Sequence, residues 1–120
     1  MSMESIEERA RDIGRLISFT DEYKAMKRAN ERLGEDREAV ALMNRIADLE
    51  EEITTALREG REPSPELQQS YAEVAEQIQQ RDIYQMVVAA QANFERLMAR
   101  INEQIARGIE VGDQSRIILP

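Results

Sequence analysis

The 120-residue chain has no cysteine, no histidine and no tryptophan, and only two phenylalanines and three tyrosines. Without cysteine it forms no disulfide, thiolate nucleophile, Cys-ligated zinc site or iron–sulfur cluster. Without histidine it has no imidazole base, no Ser-His-Asp triad and no His-bearing metal site. The shortage of aromatics leaves a core that must be mostly aliphatic. No apolar run approaches the roughly 18 residues of a membrane span. Basic charge is also short: 16 Lys and Arg stand against 24 Asp and Glu, a formal net charge of −8. Nucleic acid and anionic membrane both repel such a surface, so direct binding to either is not expected. The start, Met1-Ser2-Met3-Glu4-Ser5, lacks the basic and apolar regions of a signal peptide, and cytoplasmic residence is the expectation.

What is present is a helical pattern punctuated by few turns. Ile6, Ala10, Ile13 and Ile17 share one helical face, with Leu16 widening the stripe. Thr20 or Asp21 caps a second helix carrying Tyr23, Met26, Ala29 and Leu33, and Gly34 fits a left-handed C-terminal cap. Asp36 restarts the helix, and Ala39, Leu42, Ile46, Leu49, Ile53 and Ala56 then alternate spacings of three and four, a heptad seam. Gly60 closes that helix, about 35 Å long. Pro63 stops it, Ser64 caps the next, and Pro65 occupies a first turn where its missing N–H costs nothing. Leu67, Tyr71, Val74 and Ile78 continue the pattern, so residues 36–80 read as an antiparallel helical hairpin.

Asp82 and Gln85 have the spacing of a capping box. Ile83, Val87, Ala90, Phe94, Leu97, Ile101 and Ile105 follow as the longest seam, and Gly108 is expected to end it. The last dozen residues break the pattern. They read either as a frayed tail or as a docking segment presenting Ile117, Ile118 and Leu119.

Carboxylates are the only plentiful catalytic groups. Glu50-Glu51-Glu52 reads as a solvated face. Glu73 and Glu76 share a face, but carboxylate metal bundles add a Glu-x-x-His pair, which is missing. No phosphate loop, nucleophile elbow or dinucleotide fingerprint occurs. Catalytic, cofactor-binding and metal residues are therefore assigned to none. Lys24, Arg28 and Arg32, with Lys27 beside them, form a short basic stripe. It reads first as a solvated face and second as a contact for an acidic partner or an RNA backbone. Asn30 and Asn93 lie near apolar stripes, where they face solvent or fix register.

Three stretches carry a family resemblance: Ile13, Leu16 and Ile17 leading to Asp21-Glu22-Tyr23-Lys24; the run from Leu33 to Leu42; and Gly60-Arg61-Glu62-Pro63-Ser64 followed by Ile83 to Ile105, with Ala90-Gln91, Phe94, Leu97, Ile101 and Asn102. Over residues 6–107 the chain resembles the YlbF/YmcA family of small bacterial helical regulators. The resemblance implies an all-helical, commonly self-associating protein without enzymatic activity. Family members act as cytoplasmic adaptors in development, competence and biofilm formation. Some assemble with related subunits into a complex that influences messenger-RNA processing by the membrane-anchored endoribonuclease RNase Y. The iron–sulfur clusters of some members do not carry over, because this chain has no cysteine.

The expected architecture is all-α: an elongated, dimeric bundle of about five helices containing a long antiparallel hairpin. Residues 1–108 form the helical domain and 109–120 a C-terminal tail. Core and subunit contacts are assigned to Leu42, Ile46, Leu49, Ile53, Ile83, Val87, Phe94, Leu97, Ile101 and Ile105. Partner contacts are assigned to Lys24, Arg28, Arg32, Ile117, Ile118 and Leu119. The expected role is a non-catalytic adaptor with protein partners and no cofactor. The alternatives are a purely structural coiled-coil protein and a carboxylate metal bundle.

Overall fold

The computed structural model describes residues 2–118, and their side chains through residue 114. Five helices follow one another: α1 Met3–Ile17, α2 Asp21–Glu35, α3 Arg37–Arg58, α4 Pro65–Gln79 and α5 Asp82–Ile118. No strand occurs among the described residues, and the all-α class expected from the periodicity is what forms.

Short polar side chains set most of the boundaries. Ser2 caps α1 by accepting the Ser5 N–H at 3.3 Å. At the other end, the Ser18 and Thr20 hydroxyls donate to the carbonyls of Arg15 and Ile17. Thr20 Oγ1 also accepts from the Tyr23 N–H at 3.2 Å, so one residue closes α1 and opens α2. Gly34 is not the left-handed cap expected of it. It lies inside α2, and Gly60 is the only described glycine with positive φ. The break falls two residues later, at Asp36, whose backbone is extended and whose Oδ1 accepts the Ala39 N–H at 3.0 Å. A good N-cap is thus sufficient to interrupt the chain without a glycine turn.

The hairpin forms as expected. Gly60, at φ 75°, allows the Arg61 N–H to reach the Ala56 carbonyl at 2.8 Å and the Gly60 N–H to reach Leu57 at 3.1 Å. These are the two bonds of a Schellman motif. Ser64 then caps α4 by accepting from the Leu67 N–H at 3.1 Å, with Pro65 in the first turn. Helices α3 and α4 pack through Leu49, Val74 and Ile78, against which Leu42, Ile46, Leu67, Tyr71 and Tyr84 lie partly buried. The Tyr71 hydroxyl donates across the pair to Glu50 at 3.3 Å.

At the end of the hairpin away from its loop sits a charge cluster. Arg81, the residue between α4 and α5, donates Nη1 to Glu38 at 3.0 Å and Nη2 to Asp36 Oδ1 at 3.2 Å. Its Nε is buried without a partner. The Asp36 carboxylate therefore serves two elements, capping α3 and holding the start of α5. Its carboxyl is held below the ordinary value of 3.8 chiefly by the Ala39 N–H, against the opposing effect of burial, and further by Arg81.

Two expectations about α5 are corrected. Asp82 and Gln85 do not form a capping box: Asp82 is the first helical residue, and the Tyr84 and Gln85 N–H groups bond to the Arg81 carbonyl. The Gln85 amide instead donates to the Gln79 carbonyl at 3.1 Å. Nor does Gly108 end the helix, which runs on to Ile118. A glycine costs a helix interior about 1 kcal/mol relative to alanine, a penalty rather than a stop. Extension from an existing helix adds one hydrogen bond per residue, which suffices where no proline intervenes.

The chain divides into two compact units, one spanning Lys27–Ala89 and the other made of the two ends, up to Met26 and from Ala90. Among the described residues eight apolar ones are buried, namely Ala29, Ala39, Leu49, Ala56, Val74, Ile78, Val87 and Ala90. All but Ala90 belong to the Lys27–Ala89 unit.

Three stability outcomes follow. Leu49→Ala, at a site 2% exposed, should lower unfolding free energy by about 2–5 kcal/mol in urea titration. Gly34→Ala should stabilise the protein by up to about 1 kcal/mol, whereas Gly60→Ala should destabilise it by about 1–2 kcal/mol. Neither new Cβ meets another atom within 4 Å, so backbone conformation alone separates the two. For Asp36, a folded-state pKa below the unfolded one means that the contribution is complete above about pH 4 and fades as pH falls through the folded value. The stability advantage of the parent chain over Asp36→Asn should accordingly be largest at neutral pH and shrink on acidification; an advantage independent of pH would contradict the carboxylate's role.

Candidate interaction surface

The carboxylates make no metal centre among the described residues, where no group of three or more acidic side chains converges. Glu73 accepts from Gln69 and Glu76 from Gln80, each at 3.2 Å, in local helix-surface bonds. A shallow depression at the loop end of the hairpin is lined by Asp48, Glu51, Glu52 and Glu62 with Arg45 and Arg61. Arg61 is already paired with Glu59 there. The basic residues Lys24, Lys27, Arg28 and Arg32 are all exposed on α2, and none takes part in an ion pair among the described residues. Asn30 and Asn93 are both exposed.

The ten apolar positions assigned to core and contact sort into three groups. Leu49 and Val87 are buried. Leu42, Ile46, Ile53, Ile83, Phe94, Leu97 and Ile101 are half-buried, and Ile105 is 49% exposed. Leu42, Ile46 and Leu49 are brought together within the hairpin. Phe94 stacks obliquely against Tyr23, with ring centroids 6.0 Å apart. Of the tail positions, Ile117 and Ile118 fall in the last turn of α5, and Leu119 lies outside the described residues.

The unit made of the chain ends has a different character. Helix α1 is strongly amphipathic, yet none of its residues is buried. Met3, Ile6, Ile13 and Leu16 stand exposed on it, Phe19 follows, and Ile105, Ile109 and Val111 are exposed on α5. Among the described residues these eight are two-thirds of the twelve exposed large hydrophobics, concentrated in a unit whose one buried described residue is Ala90. Within it an open groove is lined by Ile13 from α1 and by Leu97, Ile101 and Ile105 from α5, with Arg100 and Gln104 along its edge. This groove and the exposed apolar residues around it are the candidate surface. Reading the sequence singled out the α5 positions and passed over α1. The α1 stripe was visible in its periodicity, but periodicity does not tell whether a stripe finds a partner inside the chain.

No helix among the described residues is long and apolar enough to cross a membrane. No curated protein matches the chain. A family model described as control of competence regulator ComK, YlbF/YmcA, matches residues 6–110. That match spans α2, α3 and α4 in full and most of α1 and α5. The chain belongs to the YlbF/YmcA family, whose description is a regulatory one, the control of a competence regulator.

Proposed function

We propose that this protein is a non-catalytic cytoplasmic adaptor that acts by self-association and by binding other proteins. The observation that carries this reading is the unit of chain ends, which exposes eight large apolar side chains and buries one alanine. A surface so apolar in a chain of net charge −8 has a use only when another protein covers it. The regulatory description of the family supports an adaptor over a passive scaffold. The same charge disfavours direct contact with RNA, so any influence on RNA processing passes through a partner. The exposed Lys24, Arg28 and Arg32 supply a contact for an acidic protein surface.

Light scattering at micromolar concentration should give the mass of a dimer; a monomer would remove self-association from the proposal. Affinity capture from the source cell should then recover a second protein, a regulator or a component of a ribonuclease complex. Recovery of this chain alone would favour the structural coiled-coil reading instead.

A further inference from the structure

We propose that α5 is the self-association element, and that two copies pair antiparallel about a two-fold axis at the level of residue 103. This rests on the self-association reading above and specifies where and in what register it occurs. From Phe94 onward, Met98, Ile101, Ile105, Gly108 and Gly112 recur at alternating spacings of four and three, so they lie along one face of α5. Leu97, Gln104 and Val111 flank this seam on one side, and Glu95, Asn102 and Ile109 on the other. Every other charged residue of the stretch, namely Arg96, Arg100, Glu103, Arg107 and Glu110, falls on the outer surface. Two of them already pair within the helix, Arg107 with Glu103 at 3.0 Å.

Charge points to a second copy. Two chains of net charge −8 repel each other, and they approach most easily through a face nearly free of carboxylates. The seam and its flanks hold only Glu95. Of the exposed large hydrophobics, Ile105 lies in the seam and Ile109 and Val111 on its flanks.

The register comes from the glycines. Gly108 and Gly112 sit inside a helix without positive φ, so backbone freedom does not explain them. No atom of the chain lies within 4 Å of where either Cβ would stand. In an antiparallel pair about residue 103, Phe94 of one copy faces Gly112 of the other, Met98 faces Gly108, and Ile101 faces Ile105. The bulkiest seam residues thus meet the glycines, and each copy supplies both halves of the fit.

The absence of native cysteine makes disulfide mapping direct. Under a mild oxidant, Asn102→Cys should link to itself across the axis. Ile109→Cys alone should not, because its two copies stand about 18 Å apart along the helices. A mixture of Ile109→Cys and Glu95→Cys should link. Gly108→Leu should weaken dimerisation by about tenfold or more through overpacking, while circular dichroism shows helicity kept or raised. Self-linking of Ile109→Cys as readily as Asn102→Cys would replace this arrangement with a parallel one. A dimer that neither links through these cysteines nor responds to Gly108→Leu would place the interface elsewhere and leave self-association standing. A monomeric parent chain would remove both.

Discussion

An amphipathic helix holds its place in a protein only when its apolar stripe leaves water, and in this chain the means of covering stripes are scarce. Half of the buried residues, Ala29, Ala39, Ala56 and Ala90, are alanines, and no large side chain is fully buried. Alanine lets helices approach closely but removes little surface, whereas ordering each residue costs roughly 1–2 kcal/mol of backbone entropy. The Lys27–Ala89 unit answers this by folding α3 and α4 into a hairpin around Leu49, Val74 and Ile78. The unit of chain ends has no comparable cluster, and its stripes remain exposed.

The hairpin itself is defined at its two ends by polar chemistry and between them by packing. At the loop end, the Gly60 Schellman bonds and the Ser64 cap fix where α3 stops and α4 starts. At the other end, Arg81 binds both Asp36 and Glu38. Exposed ion pairs contribute little, and Glu38 is 81% exposed. The Asp36 contact is different, since the carboxylate and guanidinium are each 29% exposed and the same carboxylate caps α3. The positive charge of Arg81 near a helix N-terminus is unfavourable by itself; the two carboxylates between it and the α3 dipole reverse that. This arrangement orients the start of α5 relative to α3 within one unit.

Much of the fold was legible because local chemistry decides it. Ser64-Pro65 and Asp36 announce helix starts through side-chain oxygens that reach the third residue on, and Gly60 is left-handed as its place after a long helix suggests. Gly34 and Gly108 misled for one reason: glycine permits a left-handed turn without requiring one, and a neighbouring helix propagates through it. Arg81 was not legible. An arginine before Asp82 resembles any surface arginine until the hairpin brings its guanidinium to residues more than forty positions earlier. The exposed stripe of α1 was half legible, since spacing shows amphipathicity and only the fold shows that none of its residues is buried.

The division between a unit with an interior and one without has a consequence for regulation. A partner that binds only the folded form stabilises it by mass action, in proportion to the logarithm of its concentration over its dissociation constant. Where a unit already buries its stripes, that increment adds little to its order. Where α1 and the far half of α5 leave theirs in water, covering them contributes a large share of what keeps the helices ordered. On the adaptor reading proposed above, order in the chain ends would track the concentration of whatever covers them, whether a second copy or another protein. The α3–α4 hairpin has its own core and its Arg81 contacts. A protein without histidine or cysteine needs no chemistry to respond in this way. Apolar area, and a face from which charge has been cleared, are sufficient.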